Sequence, residues 1–308
     1  MKKYKGRYLF LLLAAVMFFM SACSTSIGGS GDSSLTPLQV LQNSAKTMQQ
    51  LKSAHFQMTT NGNVQTGASQ SSTTPTTATP APTNNISLNL TGSGDENLPD
   101  QESLNLTVNS AINIAEIVQG NKVYIQNTQG QWYVMDKSAL NGLAGNPFSG
   151  INLLDLTNLL GLAQGAKLTD HGDETLNGQS LRHITVTLDK NGFRQLISSN
   201  QQLQNLFGQQ NIDAVVSNAK TLTASLDLWI DETHFYLHRV ELKLNLNADL
   251  SSLIATATAT AGVTVPPNLT TTLDSVVDLS KFNVPVTITL PTNAIPTDNP
   301  LSILGLGQ

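Results

Sequence analysis

From Asn85 onward, apolar residues fall on every second position. Ile86, Leu88 and Leu90 alternate with Ser87 and Asn89, Leu104, Leu106 and Val108 repeat the pattern, and Ile112 with Ile114 continues it. Val123 and Ile125 follow Gly120-Asn121, and Trp132 with Val134 follows Gly130. A period of two turns one face of each segment toward a core and the other toward water. Polar turns between the segments, as at Gly92 to Gln101, predict strands paired in sequential order. The result is an antiparallel sheet with one face to be covered.

The flanking sequence supplies the cover. Thr36 and Pro37 open a helical pattern as cap and first residue, and Leu38, Leu41, Ala45, Met48 and Leu51 recur at three- and four-residue spacing. Ala54 to Val64 reads as a strand. Gly67 to Asn84 is nearly all Ser, Thr, Ala, Pro and Gln, and predicts a disordered loop. Lys137 to Leu162 predicts one or two helices around a Gly-Asn-Pro elbow. This leucine-rich stretch is almost uncharged, with only Asp155 between residues 138 and 166. It is either core cover or the lip of an apolar cavity. Lys167 to Leu176 and Leu181 to Leu188 form a hairpin turned at Asn177-Gly178. Asn191 to Ala219 is helical in pattern, interrupted at Gly208. Leu222 to Ile230 and Phe235 to Leu246 are strands, Ser251 to Pro267 is an irregular insertion, and Val276 to Phe282 and Val286 to Leu290 supply final strands. The order predicts an α+β fold: a single strongly curved antiparallel β-sheet, a half-barrel, with helices covering its concave face.

The amino terminus dictates where such a domain works. Lys2, Lys3, Lys5 and Arg7 precede an uncharged apolar run from Leu9 to Phe19, and then comes Met20-Ser21-Ala22-Cys23. This is an export signal, with an apolar run too short to cross a ~30 Å hydrocarbon layer as a permanent helix. Cys23 is the sole cysteine, so it has no disulfide partner within the chain. Small residues followed directly by cysteine resemble the lipobox of bacterial lipoproteins, in which the thiol is acylated and the signal is cut just before it. An ordinary signal peptide with an incidental cysteine and an uncleaved membrane segment are the other readings. The lipobox reading makes residues 1–22 the signal peptide and 23–35 a Gly/Ser-rich tether after a lipidated Cys23. Residues 36–290 are then one domain, with the loop 67–84 and the insertion 251–267 inside it, and 291–308 a tail. Two or three acyl chains, at about 0.8 kcal/mol per methylene, hold such a protein stably on the outer face of a membrane.

Removing residues 1–22 takes four of the 16 basic groups and none of the 21 acidic ones, which leaves a formal charge of −9. No basic stripe remains to collect phosphates, which excludes nucleic acid as a partner. Nor is there an electrostatic pull toward anionic headgroups, so membrane attachment falls to the lipid. His234 and His238 have i,i+4 spacing but sit in a β-rich stretch with no HExxH glutamate, and call for no metal. The GGSG at residues 28–31 lies in the tether, where no oxyanion hole can form. Nothing in the residue types requires a catalytic site or a cofactor. The aliphatic inventory suits either a wide cavity for acyl chains or plain core packing.

Four segments carry a resemblance. They are Ser44 to Phe56; Asn121-Lys122-Val123-Tyr124-Ile125 followed by Gln131-Trp132-Tyr133; Gly172 to Gly178 running on to His183; and Leu228-Trp229-Ile230-Asp231 followed by Leu237-His238-Arg239-Val240. In order and spacing, over roughly residues 38 to 248, they resemble the LppX/LprAFG family of mycobacterial lipoproteins. The resemblance implies a half-barrel similar to the lipoprotein carriers LolA and LolB, no catalytic residue, and an apolar space that shelters the acyl chains of a lipid or glycolipid for carriage or presentation at the cell envelope. Carriage of this kind leaves place for a transport partner at the envelope, which the sequence does not identify. The lining expected on this basis is Val123, Ile125, Trp132, Val134, Ile184, Val186, Leu228 and Ile230 from the sheet. Leu153, Leu156, Leu159, Leu160, Leu203, Leu206 and Phe207 are expected from the cover. A surface lipoprotein that works through protein contacts, with no lipid cargo, is the alternative.

Overall fold

The computed structural model describes residues 35–67, 84–140, 163, 166–199, 212–249, 268–299 and 303. Among these residues, twelve strands form one unclosed sheet in the order β12-β6-β5-β4-β3-β2-β1-β11-β10-β9-β8-β7. They are β1 (Ser53–Gly67), β2 (Asn84–Asn97), β3 (Gln101–Val108), β4 (Ile112–Gln119), β5 (Lys122–Gln126), β6 (Trp132–Asp136), β7 (Lys167–Leu176), β8 (Gln179–Leu188), β9 (Ala219–Ile230), β10 (Leu237–Asp249), β11 (Asn268–Ser280) and β12 (Ile295–Pro296). All pairs are antiparallel except the two-residue β12–β6 contact. The chain is an α+β half-barrel built from two meanders. β1 to β6 spread outward to one side, β7 to β11 run inward from the other edge, and β1 and β11 close the seam over thirteen residue pairs from His55↔Ser280 to Gly67↔Asn268.

Helix α1 (Pro37–Met48) starts where the sequence places it. Thr36 Oγ1 accepts from Gln39 N at 3.3 Å and Gln39 Oε1 accepts from Thr36 N at 2.8 Å, a reciprocal cap with proline in the first turn. Its buried residues Val40, Leu41, Ala45 and Met48 share one core with Phe56, Met58, Ile184, Val186, Leu226, Leu228 and Leu279 from the sheet. The second meander adds α2 (Lys190–Ser199) and α3 (Ile212–Ser217), whose Phe193, Ile197, Val215 and Val216 join that core.

The Asn177-Gly178 hairpin forms as read: both residues have positive φ, 52° and 81°, which matches the twist of the flanking strands. Three expectations are corrected. Gly92 to Gln101 is not a turn, because β2 runs on to Asn97 and the connection shrinks to residues 98–100. The helical pattern to Ala219 ends earlier, since β9 already begins at Ala219. Val286 to Leu290 pairs with no strand. Pro285 lacks the donor a ladder needs, and β11 takes its length at the other end, from Asn268 through the Thr-rich stretch to Ser280. The loop read at 67–84, the leucine-rich segment to Leu162 and the insertion at 251–267 fall largely or wholly outside the described residues.

Candidate functional site

Directly opposed residues on neighbouring strands share a face. Following the pairs inward from β6 gives the row Met135, Val123, Val118, Glu102, Glu96, Ala54. The next row is Tyr133, Ile125, Glu116, Leu104, Gly94, Phe56. A third row crosses the seam: Ile114, Leu106, Gly92, Met58, Val277, Val240, Leu228, Ile184. This is the concave face that α1 covers.

The rows sort the expected lining. Val123, Ile125, Ile184, Val186, Leu228 and Ile230 lie on the concave face and are buried. They form two clusters. Ile184, Val186, Leu228 and Ile230 belong to the main core, while Val123 and Ile125 pack with Val118, Met135, Leu140 and Ile303, and Ile114 touches both groups. Trp132 and Val134 are opposed to Gln126 and Tyr124, which puts them on the other face from Val123 and Ile125. The sequence pairs Trp132 with Val134 correctly as neighbours on one face, but the face is set by the register with β5. Leu153, Leu156, Leu159, Leu160, Leu203, Leu206, Phe207 and Cys23 lie outside the described residues.

Sequence reasoning missed three glutamates among these apolar rows. Glu96 and Glu102 are directly opposed on β2 and β3, and Glu116 sits on β4 beside Leu104. Glu96 and Glu116 are buried. Burial, then the charge of Glu102, pushes Glu96 up to about 7. Burial raises Glu102 as well, with Lys137 pulling it partly back. Glu116 is held well above the usual carboxylate range by burial and by Glu102, against a smaller opposing pull from Lys137. Among the described residues, its Oε2 has no hydrogen-bond partner. Burying a lone carboxylate is costly, and this favours the protonated form of Glu116. A protonated carboxyl carries one O–H donor, so burial here favours a neutral donor within an aliphatic surface. That chemistry suits ester, hydroxyl or amide oxygens at the polar end of an apolar ligand. Part of the signal was in the sequence: Glu102 and Glu116 stand in phase with the alternation of Leu104-Leu106-Val108 and Ile112-Ile114, where a charge is out of place, while Glu96 falls in the stretch that reads as a turn.

No family model matches the sequence, and no curated protein matches it. Solved structures do. The chain is similar to the lipoprotein LppX of Mycobacterium tuberculosis, at 17% identity over 82% of this chain and 97% of that one, with a TM-score of 0.43. It is similar to LprF of Mycobacterium bovis at 16% identity over 84% and 99%, with a TM-score of 0.41. A LolA superfamily protein of Nitrosomonas europaea matches at 9% identity over 84% and 96%, with a TM-score of 0.23. Among the described residues, no helix is long and apolar enough to cross a membrane.

Proposed function

We propose that this protein is a lipid-anchored extracytoplasmic lipoprotein that binds the acyl chains of a lipid or glycolipid between its sheet and its helical cover, and carries or presents that lipid at the cell envelope. The observation that carries the reading is the apolar concave face. Twelve strands at ~4.8 Å spacing span about 50 Å, and the rows across them are aliphatic on both sides of the seam. Helices α1, α2 and α3, of 12, 10 and 6 residues, are roughly 18, 15 and 9 Å long. They are the cover among the described residues, and acyl chains laid between such a cover and the sheet are buried favourably without directional contacts. The buried glutamates beside the Val123 cluster, whose burial favours the protonated form, support a polar contact to a lipid's ester or hydroxyl oxygens. Cys23 after Ser21-Ala22 supports the anchor.

Native mass spectrometry of residues 35–308 purified from a bacterial lysate, with lipid extraction of the same sample, tests the cargo. The expected result is a reproducible added mass that extracts as diacyl or triacyl lipid. A clean apo mass that stays unchanged after incubation with envelope lipids overturns the carrier reading in favour of a surface lipoprotein acting through protein contacts. The anchor has a separate test. Cys23→Ala moves the protein from the membrane fraction to the soluble extracytoplasmic fraction, with its fold intact by circular dichroism.

A further inference from the structure

The outer face of the second meander carries a cluster that lipid binding does not use. His183 and Thr185 on β8 are opposed to Trp229 and Asp227 on β9. On β7 a bulge between Asp170 and Gly172 contains His171, and its Nε2 lies 2.8 Å from Thr185 Oγ1. The rings of His171, His183 and Trp229 stack, with centroids 4.3 Å apart at each step. One nitrogen from each histidine and a carboxylate oxygen of Asp227 lie within 4.8 Å of one another. Asp227 is buried and His171 is exposed, so the group opens to solvent on one side.

The bonding of His183 is the deciding feature. Its Nδ1 is 2.9 Å from Glu174 Oε1 and its Nε2 is 3.1 Å from Asp227 Oδ1. A neutral imidazole has one N–H and can donate to only one of two carboxylates. Glu174 is fixed independently, because Trp229 Nε1 donates to its other oxygen at 3.0 Å. With Nδ1–H given to Glu174, Nε2 turns its lone pair toward the Asp227 oxygen that also accepts from Thr185. That contact is repulsive unless a cation lies there, either a second ring proton or a metal ion. The neighbouring basic side chains are engaged elsewhere. Lys243 Nζ is 2.8 Å from Glu241 and reaches only the other oxygen of Asp227, at 3.9 Å, and the guanidinium of Arg239 is paired with Asp278.

We propose that His171, His183 and Asp227 form a transition-metal site, with Zn²⁺ the best fit and Glu174 as the carboxylate that orients His183. A histidine held by a carboxylate on one nitrogen and facing the ion with the other is the common arrangement around bound zinc. Ligands 2.0–2.2 Å from a tetrahedral ion stand roughly 3.3–3.5 Å apart, and the 3.1 Å between His183 Nε2 and Asp227 Oδ1 is close to that. His171 completes three ligands by exchanging its bond to Thr185 for the ion, and water takes the exposed fourth position. Two imidazoles and a single carboxylate favour zinc, copper or nickel over calcium or magnesium, which want oxygen ligands. The ion would bridge the edge strand β7 to the two strands beside it.

The test is isothermal titration of Zn²⁺ into the full chain, stripped with a chelator and held in detergent, with Co²⁺ as the optical probe of tetrahedral coordination. One Zn²⁺ per chain is expected. His171→Ala and His183→Ala each weaken binding by at least about tenfold, and Glu174→Gln, which removes no ligand, weakens it by about 10- to 100-fold. His234→Ala leaves binding unchanged, which separates this site from the other histidines, and persistence in Cys23→Ala separates it from the thiol. If His183→Ala fails to fold, exposed His171→Ala still decides the matter. Absence of saturable Zn²⁺ binding, or binding indifferent to both histidine substitutions, overturns the proposal, as does nitrogen NMR showing both ring nitrogens of His183 protonated in the presence of Zn²⁺. Lipid content plays no part in these readings, so the site stands or falls apart from the carrier function.

Discussion

At Gly94 a β-carbon would stand 2.0 Å from the Ser103 carbonyl oxygen and 2.5 Å from Phe56 Cζ. The backbone of β3 cannot retreat cheaply and the Phe56 ring is buried, so Gly94→Ala overpacks the centre of the sheet. A cost of about 3 kcal/mol is expected, which lowers the melting temperature by roughly 6–12 °C in a domain of this size. The same glycine explains a misreading. Gly92-Ser93-Gly94 looks like a turn because glycine and serine favour turns, but here the missing side chains make room for Met58 and Phe56 from the next strand. Sequence cannot distinguish the two uses until the partner strand is known. The glutamates give a second prediction at this scale. The folded-state pKa of Glu96 lies above its usual 4.5, at about 7, so the folded chain keeps protons that the unfolded chain releases between those values. Its contribution is therefore most favourable below about pH 4.5 and is lost as the pH rises through 7. Stability should fall between pH 5 and pH 8, by up to on the order of 3 kcal/mol from Glu96. Glu96→Gln should flatten that fall and be the more stable protein at pH 8. Thermal melts across the range check it, and a slope unchanged by the substitution contradicts the burial argument.

Elements with local signals were legible and those with distant ones were not. The cap at Thr36, the proline after it and the apolar stripe all lie within one stretch, and α1 follows from them almost residue by residue. Thr36→Ala removes the acceptor for Gln39 N and the hydroxyl half of the reciprocal cap. The expected loss is about 1 kcal/mol, read as a shift in the urea midpoint at constant slope, with Thr36→Ser restoring most of it. The Asn177-Gly178 hairpin is equally local. Counting back from that turn pairs His183 with Gly172 and would set His171 opposite Ile184, on the other face; the bulge at residues 170–172, which the turn does not signal, brings His171 to His183. Strand β11 is the contrary case. Its first half, Asn268-Leu269-Thr270-Thr271-Thr272, has a weak alternation and sits beside Pro266-Pro267. What makes it a strand is pairing with Asn63–Gly67 on one side and Asn245–Asp249 on the other. Those partners are far away in sequence, so tertiary pairing rather than local propensity decides. The candidate lining divides in the same way: alternation identified the buried positions on β5, β8 and β9, while the opposite face of Trp132 and Val134 depended on cross-strand register.

At the scale of the whole molecule, the fold is two meanders held by one seam. Besides the thirteen β1–β11 pairs, the seam is tied by Ser53 Oγ donating to the Val284 carbonyl at 2.6 Å and by Lys52 N donating to Asn283 Oδ1 at 2.8 Å. Helix α1 reinforces it, since Met48 Sδ accepts from Leu237 N. The chain passes between the meanders through residues 141–166. A protease site introduced between residues 141 and 162 and then cut should therefore leave two pieces that elute together at the size of the intact protein and separate only in urea. Separation without denaturant would contradict the seam. Val277 gives the control. It stands between Met58 on β1 and Val240 on β10, so a proline there loses a ladder bond whichever neighbour its N–H serves. The cost is about 3 kcal/mol or more, and cut Val277→Pro should fall into its two parts under conditions where the cut parent holds together. The pairing of the first strand with a strand near the far end of the chain also closes a long loop before it yields a single contact, which makes the seam the slow step of folding. Refolding of the intact chain should then slow when Met58 or Val277 is trimmed to alanine, while an equally destabilising change in the Asn177-Gly178 hairpin acts mainly on unfolding.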